Sequence, residues 1–384
     1  MFELIHLLTS DPTPPPLLDS MIDLYIAKRR FDLENVIWST HYFSPPMARH
    51  LNQAYELLPD AARFSYLLSP STYEAVHSFR HKPLESCDLL ISYAYDQLSV
   101  VQGVPANGYK SDKQEIWSPT GGEALIRSSD GWTLKPAVRL DSLVVIDLDS
   151  PFARMIRQSP LMARPAEDFS DTERDQSIMK LQAAFEYVDR VAPTFGRLIR
   201  NYTRAARVRK CVAFKDVSSE HVTDTIGEIR LMNVHQDAYT IPKVAEALVH
   251  ESVHNLLSTY EYLHGPFLLT EDDRNYRPVS PWSGNPIPVG SFCHAVFVWF
   301  SLYNFALREL QQSGLSEEKK LEIQRRRNLY ASGFMAPTPL SHYLRDLGLL
   351  NRQYLPTIDR IQDVVQGLDR GYVHEPMEET AIAV

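Results

Sequence analysis

Hydrophobic positions between residues 17 and 110 recur at the spacing of one face of an amphipathic helix. Leu51, Ala54, Leu57 and Leu58 follow this period, and a second set recurs from Leu89 to Leu98. We therefore predict that residues 1–115 form a helical N-terminal region. It carries no motif with recognisable chemistry.

The pattern changes to short apolar runs, typical of strands, between Glu123 and Asp147. Asp130-Gly131 is a hairpin signal there, and the continuous apolar run 143–146 predicts a buried strand. A helical pattern follows over residues 172–207, interrupted at Pro193. Two later runs, 208–214 and 226–233, predict strands, and the second should be half-buried because its apolar and polar side chains alternate.

A long helix is predicted from Pro242 to about residue 262, where Gly265-Pro266 ends it. The segment from there to Gly290 is rich in proline, so we expect a loop that lines a site. Ser291 then precedes a strongly apolar helix, and helices fill the remainder. The protein is thus predicted to be α+β and predominantly helical, with residues 116–384 as a second domain that is able to pack with the first as one unit.

Charge and cysteine content narrow the function classes. The 384 residues carry a formal net charge of −9, so a phosphate backbone would meet a repulsive field, and we expect no nucleic-acid partner. Three widely spaced cysteines, Cys87, Cys211 and Cys293, fit reduced thiols. The N-terminus lacks the basic segment of a signal peptide, and no uncharged stretch approaches the roughly 20 apolar residues that cross a bilayer. We expect a cytoplasmic protein with no membrane association; its oligomeric state is not determined.

The predicted long helix contains His250-Glu251-Ser252-Val253-His254. Two imidazoles at positions i and i+4 project from one helix face and are able to bind a single metal ion, with the glutamate beside them. Roughly 0.03 matches to this pattern are expected by chance in a chain of this composition, so a random origin is improbable. The other metal-like string, His235-Gln236-Asp237, has a chance expectation of roughly 0.85 and carries little weight.

Several residues compete to be the third ligand. His294, at the start of the next apolar helix, is the strongest candidate because the proline-rich loop between the two helices is expected to line a site. The spacing of metzincin proteases is excluded, because Leu257 and Tyr260 occupy the required positions. The weaker alternatives are His264, Glu261, Glu271, Asp272 and Glu309. Three protein ligands would leave metal positions open for catalysis, and we expect a zincin-like metal helix packed on a small antiparallel sheet.

At this point the sequence resembles the HEXXH motif-containing peptide-modification proteins, which are 2-oxoglutarate- and iron-dependent HExxH-type peptide β-hydroxylases. The likeness spans about residues 140–310 and is carried by the segments 144–151, 227–229, 247–257, 280–282 and 290–294. The resemblance implies Fe(II) held by His250, His254 and His294, with 2-oxoglutarate as cosubstrate. It also implies that the substrate is a peptide, or an amino acid on a carrier protein, in natural-product biosynthesis.

This chain departs from the family at the arginines that bind the cosubstrate. Family members tend to carry arginine where this chain has Ser283 and Ile287. Arg277 or Arg274, just upstream, are the candidates to replace them as 2-oxoglutarate ligands. Tyr260, Trp282 and Trp299 are candidates for an apolar wall around the substrate.

An arginine stripe is predicted on the helix that precedes residue 208, either as a solvated face or as a docking surface for an acidic leader peptide or carrier. It consists of Arg197, Arg200, Arg204 and Arg207, which recur at helical spacing.

Two other functions are alternatives to the oxygenase. The first is a zinc-dependent hydrolase or peptidase, with Glu251 as the general base. The other alternative function is that of a binding or scaffold protein without catalytic activity. No nucleophile elbow, Walker loop or dinucleotide fingerprint supports another enzyme class.

Overall fold

A computed structural model describes residues 16–106, 113–155, 165–212, 218–221, 225–268, 276–345 and 354–369, together with Leu8 and Ala163. The chain divides into two units. The first, here the sheet unit, comprises Asp19–Tyr187 and Leu198–Asn255. The second, here the C-terminal unit, comprises Met1–Leu18, Val188–Arg197 and Leu256–Val384. These units are discontinuous along the chain, and the domain boundary predicted at residue 115 stays a prediction.

Helices dominate the first hundred residues, as the periodicity predicts. They are α1 Pro16–Phe43, α2 Pro45–Glu56, α3 Asp60–Leu68, α4 Pro70–Ser78 and α5 Pro83–Gln102. Proline stands in the first turn of α2, α4 and α5, where its missing N–H costs no hydrogen bond. Ser69 caps α4 by accepting a hydrogen bond from the amide of Thr72. Their apolar faces enclose a core that includes Leu33, Leu51, Tyr66 and Leu90.

A small antiparallel sheet follows, with strands β1 Glu115–Trp117, β2 Ala124–Ser128 and β3 Gly131–Lys135. Ser128 pairs with Gly131, so Ser129 and Asp130 form the two-residue turn. Gly131 has φ of 120°, a conformation that glycine adopts without strain. The hairpin predicted from Asp130-Gly131 is confirmed.

A second sheet of five strands is mixed rather than antiparallel. Its strands are β4 Val138–Arg139, β5 Val145–Asp147, β6 Ala205–Arg209, β7 Ser218–Glu220 and β8 Glu228–Met232, in the spatial order β4-β5-β6-β8-β7. The pairs β5–β6 and β6–β8 are parallel, whereas β4 and β7 join their neighbours antiparallel. The strand predicted at 143–146 corresponds to β5, which is buried throughout.

The prediction of a half-buried strand over 226–233 is wrong. All five residues of β8 are buried, including the charged Glu228 and Arg230. They are tolerated there because they pair: Arg207 Nε donates to Glu228 at 2.6 Å, and Arg230 Nε donates to the other oxygen of the same carboxylate. Polar and apolar side chains alternate along β8 because Glu228 and Arg230 are paired in the protein interior, and not because one face of the strand meets solvent.

The predicted arginine stripe is also wrong. The helical stretch divides into α6 Pro151–Arg154, α7 Asp171–Val191 and α8 Pro193–Tyr202, and the chain then enters β6. Arg204 and Arg207 therefore lie beyond the helix and are buried. Arg207 pairs with Asp147 and Glu228 instead of meeting solvent or a partner.

The remaining helices are α9 Ile241–His264, α10 Val289–Leu310, α11 Glu317–Ser332, α12 His342–Arg345 and α13 Leu355–Asp369, with a 3₁₀ turn at Gly333–Met335. In the C-terminal unit, α11 and α13 pack on α10, which buries Phe292, Phe297, Phe300 and Phe305. Among the described helices, α10 alone is long and apolar enough to cross a membrane. Core helices can have the same length and apolar character, and 78% of the most apolar 18-residue stretch of α10 is buried inside the protein. The α+β, predominantly helical class is confirmed.

Candidate metal centre

His250, Glu251 and His254 lie on α9, the long helix that the sequence predicts. Among the described residues, one ligand atom from each of these three side chains lies within 4.8 Å of the other two. The centroids of the two imidazole rings are 5.1 Å apart. Two imidazoles that share one ion at a metal–nitrogen distance of about 2.1 Å place their centroids about 5 Å apart. The spacing therefore fits a divalent cation.

His250 is held in a form suited to metal binding. Desolvation lowers the pKa of its imidazole to about 4, although 27% of the side chain remains exposed. A histidine with a lowered pKa stays neutral at physiological pH and keeps a lone pair for the metal. His254, one turn further along, is half-buried.

Glu251 is almost fully buried, with 1% of its surface exposed. Its Oε1 accepts a hydrogen bond of 2.6 Å from Ser219 Oγ and lies 3.8 Å from His250 Nε2. Burial is the main cause that raises the pKa of Glu251 to about 8; the Ser219 hydrogen bond opposes this shift and the charge of Glu220 adds to it. Its Oε2 has no hydrogen-bond partner within the described part of the chain. An unpartnered buried oxygen beside two imidazoles is where an ion, or a water on that ion, fits.

The sheet fixes this segment of α9 from its other face. Ser252 Oγ lies 2.9 Å from Thr203 Oγ1, between the end of α8 and the start of β6. Asn255 accepts a hydrogen bond of 2.8 Å from the amide of Gly227 and donates one of 3.2 Å to the carbonyl of Glu228. These buried polar contacts set the rotation of the helix, so the two histidines stay on the opposite face.

His221 is a neighbour of the centre that sequence reasoning missed. It directly follows β7, and its ring is nearly parallel to that of His254, with 2° between the planes and 5.4 Å between the centroids. Nothing in the sequence marks it, because a single histidine after a three-residue strand has no characteristic spacing. Only the antiparallel pairing of β7 with β8 brings it to the helix.

His294, the predicted third ligand, lies in the C-terminal unit and is buried. Its Nε2 lies 2.9 Å from Glu261 Oε2, and the other oxygen of Glu261 accepts a hydrogen bond of 2.8 Å from the amide of Phe267. The ring of Phe267 meets the imidazole edge to face. This arrangement satisfies His294 without a metal, and its role as a ligand stays a prediction.

The weaker ligand candidates have other neighbours or fall outside the described residues. Glu309 is buried and pairs with Arg326 at 3.2 Å, while the exposed His264 contacts the ring of Tyr260. In the His235-Gln236-Asp237 string, Lys180 donates to the backbone carbonyl of His235, and Asp237 is exposed. Glu271 and Asp272 lie outside the described residues.

The described members of the predicted cosubstrate and substrate set belong to the C-terminal unit. Arg277 is exposed and donates to the carbonyl of Tyr276, while Arg274 lies outside the described residues. Trp282 stacks on Trp299 at 6.0 Å and donates to the carbonyl of Tyr330, which is typical of core packing. Tyr260 contacts Tyr354 edge to face. The assignment of these residues to 2-oxoglutarate or substrate stays a prediction.

Comparison with known proteins adds no assignment, since no family model matches the chain and no curated protein is significantly similar to it.

Proposed function

We propose that this protein is a metal-dependent enzyme whose ion is bound by His250 and His254, and that it is a non-haem iron oxygenase. The observation that carries the proposal is the convergence of the two imidazoles and the Glu251 carboxyl within 4.8 Å. Two imidazole nitrogens leave most of the coordination sphere of the ion open, which favours catalysis over a structural role. The resemblance stated above supports iron, with hydroxylation of a peptide or carrier-bound side chain as the reaction.

The residues of the chain have separate tasks in this proposal. His250 and His254 bind and orient the ion, and ferrous iron would supply the redox chemistry that activates dioxygen. Glu251 stays close to His250 and is able to hold or move a proton at Oε2. Ser219, by binding Oε1, aims the free oxygen. The contacts of Ser252 and Asn255 keep the helix in register while substrate binds.

The metal fits this site on the evidence of its donor set, whereas 2-oxoglutarate rests on the resemblance alone. Of the two candidate arginines, Arg277 is exposed and donates to the carbonyl of Tyr276, and Arg274 lies outside the described residues. The cosubstrate therefore remains part of the proposal, and no step of the chemistry is assigned to it.

A zinc-dependent hydrolase is the second candidate, and the unpartnered Oε2 of Glu251 is the observation that favours it. In that chemistry, Glu251 would be the general base that takes a proton from the attacking water, and a bound zinc ion would lower its pKa from the value of about 8. Cleavage would then proceed without oxygen.

An anaerobic titration separates the candidates. Ferrous iron followed by 2-oxoglutarate, added to metal-free protein, should give a visible charge-transfer band, and the band should be lost in His254→Ala but kept in His235→Ala. No band at saturating reagents, together with oxygen-independent cleavage of peptides by the zinc-loaded protein, would establish the hydrolase instead.

Glu251→Gln provides a second discriminator. A general base contributes about 10²- to 10⁴-fold, so a hydrolase should lose activity by that factor while it retains zinc. An oxygenase should bind iron equally well and lose less, because the glutamine amide still accepts the Ser219 hydrogen bond.

A further inference from the structure

The two-histidine centre needs further ligands, and the strand beside the helix supplies a candidate. Ser219 and His221 are two residues apart at the end of β7, so their side chains point to the same side. Glu220, between them, points the other way and pairs with Arg230 at 3.1 Å. The face of Ser219 and His221 is therefore the one that meets α9.

Two contacts fix this alignment of strand and helix. Ser219 binds Glu251, and the His221 ring lies against the His254 ring. The contact partners are three residues apart on the helix, about 4.5 Å along its axis, and two apart on the extended chain, about 6.6 Å along it. Both contacts lie within the sheet unit.

The ring separations have the size that a shared ion requires. The His250–His254 centroids are 5.1 Å apart and the His221–His254 centroids 5.4 Å, both near the separation of about 5 Å expected of two imidazoles on one ion. The nitrogens of His221 lie outside the 4.8 Å group of ligand atoms, so coordination requires rotation about its side-chain bonds. Its side chain is half-buried.

We propose that His221 is the third protein ligand of this centre, contributed by the end of β7 in place of His294. The inference rests on the proposed function, since it assumes an ion at His250 and His254. The ligand set would then be three imidazoles, with a carboxyl group held beside them by Ser219. In the C-terminal unit, the Nε2 of His294 already pairs with Glu261.

Metal affinity and cobalt spectroscopy test this assignment on the full chain. Co²⁺ affinity, measured by chelator competition, should fall more than about 10-fold in His221→Ala and be unchanged in His294→Ala and in the control His235→Ala. Circular dichroism and the melting temperature verify that each variant folds.

A cysteine variant gives a readout that a merely structural role would not produce. His221→Cys should restore Co²⁺ binding and add an intense near-ultraviolet sulfur-to-cobalt charge-transfer band, whereas His294→Cys should show no such band. If His221→Ala binds Co²⁺ like the wild type, or if the band appears in His294→Cys instead, the assignment of His221 is overturned while the centre stands. If the wild type, His250→Ala and His254→Ala all fail to bind Co²⁺, the metal centre itself is refuted.

Discussion

Two glutamates of the same helix each stand beside a histidine, yet their carboxyl groups are in opposite situations. Glu261 uses both oxygens, one with the amide of Phe267 and the other with His294. Glu251 uses one oxygen, with Ser219, while the other is buried and has no partner in the described part of the chain. A satisfied pair stabilises the fold, whereas an unsatisfied buried acid costs stability and is typical of a functional site.

A third buried carboxylate shows what Glu251 would need in order to be merely structural. Glu228 is as deeply buried, but the guanidinium groups of Arg207 and Arg230 each donate to it. No described arginine or lysine forms an ion pair with Glu251. A metal ion bound by His250 and His254, as proposed, would supply the positive charge that Glu251 lacks.

The largest expected effect is on the pH dependence of stability in metal-free protein. Because the pKa of Glu251 is raised from 4.5 to about 8, this carboxyl group binds more protons in the native state than in the unfolded chain between these values, and its contribution to stability falls as pH rises through this window. Glu251→Gln should remove this fall, by at most about 5 kcal/mol. Urea unfolding at several pH values between 5 and 8 measures it.

Asp149→Asn is the matched control for that experiment. Burial alone would raise the pKa of Asp149, but hydrogen bonds from Arg174 and Lys135 outweigh it and lower the pKa to about 2. Its contribution is complete above its unfolded pKa of 3.8 and is lost only as pH falls towards 2. Asp149→Asn should therefore shift stability by a constant amount between pH 5 and 8. Parallel curves for wild type and Glu251→Gln would contradict the comparison.

Loss of one of the two arginines beside Glu228 should bring its carboxylate closer to the situation of Glu251. Arg207→Met removes the buried partner of Asp147 and of one oxygen of Glu228, and we expect a loss of about 3 to 4 kcal/mol in the free energy of unfolding. Chemical denaturation measures the loss. Arg63→Met, which removes a half-exposed surface pair, should cost about 1 kcal/mol or less. Equal losses in the two variants would show that burial is not the deciding factor.

The satisfied pair should behave as a structural element. His294→Ala leaves one oxygen of Glu261 without its partner and should cost about 1 to 3 kcal/mol of stability, with metal affinity unchanged. Thermal unfolding and metal titration on the same sample separate these effects. A loss of affinity with intact stability would return His294 to the ligand set.

The smallest expected effect concerns the orientation of the Glu251 carboxyl group. Ser219→Ala removes one hydrogen bond of 2.6 Å and should lower stability by about 1 kcal/mol. It should also lower the activity of the metal-loaded enzyme, because the carboxyl group loses its fixed orientation. Ser218→Ala, on the neighbouring position of β7, is the control and should leave activity unchanged. Activity equal in both variants would remove the positioning role.

Much of the local structure could be predicted because it depends on short-range patterns. The helical periodicity of the first hundred residues, the hairpin at Asp130-Gly131 and the helix opened near Pro242 all appear in the structure. The arginine stripe failed because helical spacing continues in the sequence past residue 202, while the chain turns into β6 to pair with β5 and β8. Pairing between distant strands outweighs a local periodicity.

The sequence by itself determined the two-histidine face, because positions i and i+4 of one helix are adjacent whatever the rest of the chain does. Tertiary structure decided which polar groups surround that face. Ser219 and His221 reach this face only because β7 pairs with β8. Arg207 becomes the buried partner of Asp147 and Glu228 only when β6 lies between β5 and β8. Contacts of this kind depend on strand register and burial, which no spacing within a single segment encodes.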